Sequence, residues 1–119
     1  MDALKFIGLA GLIIVIDIPW LLATQPFASS MIRSIQKGDE AVLRIGAALI
    51  VYIALAYLAR IPTTATEAFL LGASVYAVYD FTNYATLAKY DLRFAIADTL
   101  WGGVLFTIVF YVSRILKLV

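Results

Sequence analysis

Apolar residues fill four long blocks of this chain, Leu4–Thr24, Ala41–Ala59, Ala68–Leu87 and Phe94–Leu116, and polar residues gather between them. Each block is close to the ~20 residues that carry an α-helix across a hydrocarbon core ~30 Å thick. The strict apolar–polar alternation of a membrane β-strand is missing. The pattern predicts an all-α fold, an integral membrane four-helix bundle made of one transmembrane domain over residues 1–119. The first block is longer than the ~7–15 residues of a signal-peptide core, and Asp17, Pro19 and Trp20 within it fit a retained span.

The connections carry their own signals. Pro62 to Glu67 is short, and Thr64-x-x-Glu67 has the spacing of a capping box opening the third helix. Helices two and three are therefore expected to form a tight antiparallel hairpin. The third link, Ala88 to Arg93, is equally short. The first link is longer: Phe27, Met31, Ile32 and Ile35 fall on one helical face, with Arg33, Gln36 and Lys37 opposite. Pro26–Lys37 thus reads as an amphipathic helix in the membrane interface, or as an extension of helix one. Gly38 is placed to end it, before Asp39 and Glu40 start helix two.

An even number of spans puts both termini on one side of the membrane. Lys5, Arg60, Arg114 and Lys117 lie on that side, and Arg33, Lys37, Arg44, Lys89 and Arg93 on the other, so the charge balance sets no orientation. Tyr90, between Lys89 and Arg93, suits an interfacial anchor.

Composition narrows the chemistry. Of 119 residues, 64% are hydrophobic and 14% charged, against about 25% charged in soluble domains. The chain has neither cysteine nor histidine, which removes thiol chemistry, thiolate metal sites and the usual neutral-pH proton carrier. A net charge of +1 leaves no footprint for nucleic acid. No cofactor is implied. The expected partners are the lipid bilayer and a homo-oligomer or larger membrane complex.

Against this background Asp17, Asp80 and Asp98 are conspicuous. Each costs about 2.5–3.5 kcal/mol near the centre of a bilayer on insertion scales. With alternating helix directions, all three fall in the same half of the membrane, toward the first and third links. Gly72, Tyr76, Tyr79/Asp80 and Asn83 make a polar stripe along helix three. Asp17, Trp20, Leu21 and Thr24 share a face of helix one, and Asp98, Trp101, Gly102 and Leu105 share one of helix four. Asp17-x-x-Trp20 and Asp98-x-x-Trp101 repeat one arrangement in helices of opposite direction, as an inverted repeat would, although other signs of a repeat are missing.

Tyr79-Asp80-Phe81-Thr82-Asn83-Tyr84-Ala85-Thr86-Leu87, followed by Asp98-x-x-Trp101-Gly102, resembles the signature of the domain of unknown function 2177 family. Asp17-x-x-Trp20-Leu21 is similar to that family's early "DxxWL". Phe81 stands where leucine is usual, Tyr84 where a smaller or apolar residue is common, and Pro19 interrupts the first motif. Ala88-Lys89-Tyr90 replaces a frequent lysine, glycine and tryptophan. The resemblance implies four membrane helices and the same three aspartates, and it implies no activity.

The candidate polar cluster is thus Asp17, Trp20, Tyr76, Tyr79, Asp80, Asn83, Asp98 and Trp101. No catalytic residue stands out, and whether a metal is bound is open. One reading is a polar cavity facing the first and third links that holds a proton, a hard cation such as Mg²⁺ or Ca²⁺, or a polar ligand. A second is a structural or accessory subunit whose aspartates bind its helices together. In that reading Asp98 pairs with Lys89 or Arg93, and the tryptophans anchor at the interface. A lipid-modifying enzyme ranks last, because no nucleophile–base pair is visible.

Overall fold

The computed structural model describes residues 2–39 and 42–119. Among them are four α-helices and no strand: α1 (Ala3–Ile35), α2 (Ile45–Ala59), α3 (Ala65–Thr86) and α4 (Leu92–Ile115). The helix starts follow local chemistry. Asp2 accepts the Leu4 and Lys5 N–H groups at 2.8 and 3.4 Å to open α1. Asp91 opens α4 by accepting from Arg93 N–H at 2.7 Å and Phe94 N–H at 3.4 Å. Thr64 Oγ1 accepts the Glu67 N–H at 3.1 Å, and Glu67 reaches back to the N–H and hydroxyl of Thr63, both at 2.9 Å. The Thr63 backbone donor, then its hydroxyl, holds the exposed Glu67 carboxyl below its ordinary value.

Three expectations change at the element level. The segment from Pro26 is helical, but it joins α1 without a break, so the extension reading describes it. Its apolar face packs on protein: Met31 and Ile35 lie against Tyr90, Phe94 and Leu87, and the Phe27 and Phe94 rings stack at 5.9 Å. This contact holds the extension in line with α1. The helix ends as Lys37 turns to φ 56° and Gly38 to φ 99°, with the Gly38 N–H closing on Arg33 C=O at 2.8 Å.

Second, α2 begins at Ile45 rather than near Asp39, and Glu40 and Ala41 lie outside the described residues. Arg44 at its N-cap accepts no backbone N–H and brings positive charge to the positive end of the helix dipole. An unbroken apolar run gives no sequence mark for that start. Third, α2 and α3 are joined by a short link yet barely touch, whereas α3 and α4 make the most extensive helix contact. The reason is glycine at facing positions. A Cβ on Gly103 would stand 2.6 Å from the Phe69 ring, and one on Gly102 would stand 2.6 Å from the Gly72 carbonyl. Gly11, by contrast, faces open space.

α4 touches every other helix, and the backbones of α1 and α3 do not approach each other. The apolar core lies at the end of the bundle where the termini sit: Leu9 and Ile13 on α1, Leu55, Ala56 and Ala59 on α2, Ala68 on α3, and Leu105, Phe106, Val109 and Phe110 on α4. Arg114 closes that end, its guanidinium donating to the carbonyls of Phe110 and Pro62, each at 3.0 Å. Large apolar side chains cover the outer surface, among them Leu22, Ile50, Val78 and Ile115, each about two-thirds exposed or more. α1 and α4 are long and apolar enough to cross a membrane, and α2 is a shorter apolar helix of 15 residues.

Candidate functional site

Above the apolar core, the antiparallel α1 and α4 set their two D-x-x-W motifs face to face. The Trp101 indole N–H donates to Asp17 Oδ1, and the Trp20 indole N–H donates to Asp98 Oδ1, both at 2.8 Å. The indoles stack on each other with centroids 5.3 Å apart and planes 8° from parallel. Residues one helical turn apart on antiparallel helices can exchange bonds in this way only when the two motifs lie opposite each other. The result is a local two-fold clasp. The tryptophans are therefore bonded and stacked between helices rather than serving as free interfacial anchors.

Asp17, 4% exposed, takes a second donor from α2, the Tyr52 hydroxyl at 2.6 Å from Oδ2. Asp80 on α3 is fully buried. Its Oδ1 accepts the Tyr90 hydroxyl at 2.7 Å, while its Oδ2 has no hydrogen-bond partner. The Asp80 and Asp98 carboxyls face each other across the α3–α4 contact. Tyr76, next to Gly102 in that contact, points among Asp17, Asp98, Tyr52 and Asp80. Asn83 lies beside the Tyr79 and Tyr90 hydroxyls. Tyr79 is 61% exposed, at the edge of the group. Thus Asp17, Trp20, Tyr76, Asp80, Asp98 and Trp101 come together, with Asn83 adjoining and Tyr79 peripheral.

Two members went unrecognised in the sequence reading. Tyr52 is one of two hydroxyls in α2 (Tyr57 is the other) and lies at the middle of the helix, at the depth of Asp17, and that placement was its signal. Tyr90 differs from an interfacial anchor, being 6% exposed with its hydroxyl turned inward onto Asp80. Burial, then the bond to Asp80, pushes the Tyr90 phenol well above its ordinary value, so it remains a donor at neutral pH. Arg93 pairs with Asp91 at 3.0 Å and leaves Asp98 to Trp20. The same pairing, led by the Arg93 side chain, holds the partly buried Asp91 carboxyl below its usual range.

The electrostatics are one-sided. None of the described lysines or arginines pairs with Asp17, Asp80 or Asp98. Among the described residues, no three acidic side chains are grouped to hold a metal ion. Concavities of about 520 and 300 Å³ lie on the outer face of α3, around Val78 and Phe81, and beside Asp2, Lys5 and Arg60; neither is lined by Asp17, Asp80 or Asp98. The carboxyls are packed among indoles and phenols. Such a site can hold helices together.

No curated protein and no solved structure matches the chain. The family model described as "Predicted membrane protein (DUF2177)" matches residues 3–115, close to the whole length. The matched segment contains both the clasp and the buried Asp80, and the chain belongs to the DUF2177 family of predicted membrane proteins.

Proposed function

We propose that this is a multi-pass membrane protein with four spans and both termini on one side, whose buried carboxyl cluster binds and releases protons. α3, at 22 residues, is about 33 Å long and buries Asp80 against α4, while Ser74, Tyr79, Thr82 and Tyr84 stay exposed. α2, at 15 residues, is about 22 Å long and is extended by the apolar Val42 and Leu43 before Arg44. The exposed apolar side chains of both suit lipid contact.

One observation carries the proton reading: Asp80 is fully buried beside Asp98, with Oδ2 lacking a donor and no cation near. An ionised carboxyl only accepts hydrogen bonds, whereas a protonated one donates. A proton on Asp80 Oδ2, donated to Asp98, satisfies the orphan oxygen and removes one of three uncompensated buried charges. Losing that proton returns like charges to one low-dielectric site, so the helices must adjust. The Trp–Asp clasp favours packing as a companion role, since it ties α1 to α4.

Trp20 and Trp101 are the chain's two tryptophans, and both touch the cluster, which makes intrinsic fluorescence the natural reporter. In liposomes the expected result is a reversible fluorescence step as the pH is varied. Asp80→Asn, whose amide mimics the neutral acid as a donor, is expected to stay folded and to remove the step. A pH-invariant signal from the parent protein, or an unchanged step in D80N, overturns the reading.

A further inference from the structure

We infer that the carboxyl cluster exchanges protons with one side of the membrane only, the side of the α1–α2 and α3–α4 links, through the Tyr90 hydroxyl. The inference rests on the proton-binding reading above and adds the direction of access. Toward the termini, the way is filled by Leu9, Ile13, Leu55, Leu105, Phe106 and Val109, all buried and apolar; the buried Ser113 beyond them donates to the Phe110 carbonyl. Toward the links, Asp80 Oδ1 is 2.7 Å from the hydroxyl of Tyr90, which belongs to the link itself. Tyr90 stands between the exposed Lys89 and the Asp91–Arg93 pair at the surface.

The groups facing Asp80 and its partners are Asp98 from α4, Tyr76, Tyr79 and Asn83 from α3, Tyr90 from the link, and, across the clasp, Asp17 from α1 and Tyr52 from α2. No cation is among them. The transfer is balanced: a lone pair of the Tyr90 oxygen takes a proton from hydronium, which becomes water, as its own O–H proton passes to Asp80 Oδ1, and a half-turn of the carboxyl brings that proton to face Asp98. The phenol is regenerated and one proton is gained. Tyr90 is seated by Met31, Phe94 and Ala95, with the Asp91 N–H donating to Met31 Sδ at 3.4 Å, so the long α1 extension fixes the entry group. A cluster closed on one side suits a proton-responsive device better than a channel.

The test uses the full chain in proteoliposomes, with external pH stepped rapidly and fluorescence recorded. The chain has no native cysteine, so Lys89→Cys with a membrane-impermeant maleimide measures the fraction of molecules whose links face outward. The fast fluorescence change is expected to match that fraction, the remainder responding only after a protonophore is added. Tyr90→Phe is expected to slow the response at least several-fold. A fast change that is complete in both orientations, or that follows the inward-facing fraction, overturns the sidedness. An unchanged rate in Y90F overturns Tyr90 as the entry. No response even with protonophore defeats the proton reading itself.

Discussion

At the scale of single residues, the clasp turns costly aspartates into helix connectors. Each indole N–H satisfies a carboxylate that would otherwise be buried with fewer donors, and charged acceptors make such bonds stronger than neutral ones. Trp101→Phe retains an aromatic ring but leaves Asp17 Oδ1 without its donor, which costs about 1–3 kcal/mol. Trp20→Phe strips Asp98 in the same way. Because the indoles also stack, the two losses share a contact, and the double variant is expected to fall short of the sum by about 0.5–1.5 kcal/mol. Thermal or denaturant unfolding in one detergent measures the cycle; strictly additive losses would mean that the stack contributes nothing.

At the scale of elements, the α3–α4 pair is the most closely packed part of the fold, and glycine makes it so. Gly72 and Gly102 bring the two backbones close enough that Asp80 and Asp98 face each other and Tyr76 reaches in between. Gly102→Ala forces a methyl toward the Gly72 carbonyl and the Tyr76 ring, an overpacking worth about 1–3 kcal/mol. Gly11→Ala, with nothing near its added methyl, is expected to be neutral or slightly stabilising through helix propensity. Comparing the two variants' unfolding midpoints checks the assignment. Equal effects would show that close approach at Gly102 is not what holds the pair.

At the scale of the whole molecule, polar and apolar halves divide the bundle along its length. The apolar core lies toward the termini and the cluster toward the links, an asymmetry that matters only if all four helices cross the membrane. Single cysteines introduced at Asp2, Lys89 and Lys117 can be labelled with an impermeant maleimide in sealed vesicles. Positions 2 and 117 are expected to label together, and position 89 from the opposite side. Labelling of all three from one side would mean that α2, α3 or both stay on one face of the bilayer.

Much of this was legible in the sequence because it depends on local rules. Helix identity follows from apolar length, the Thr64–Glu67 cap from side-chain reach, and the conspicuous aspartates from the cost of a carboxylate in hydrocarbon. Periodicity also gave the shared face of Asp98 and Trp101. Apolar continuity could not mark where α2 starts, nor whether Pro26–Ile35 leaves α1, since a proline or an uncapped turn is tolerated or not according to what packs beside it. Tertiary structure alone decided the partners. An aspartate one turn from a tryptophan can bond only across a helix interface, so the Asp17–Trp101 and Asp98–Trp20 exchange required α1 and α4 to be antiparallel neighbours in one register. The same is true of Tyr52 and Tyr90, whose hydroxyls acquire meaning only when α2 and the third link close over Asp17 and Asp80.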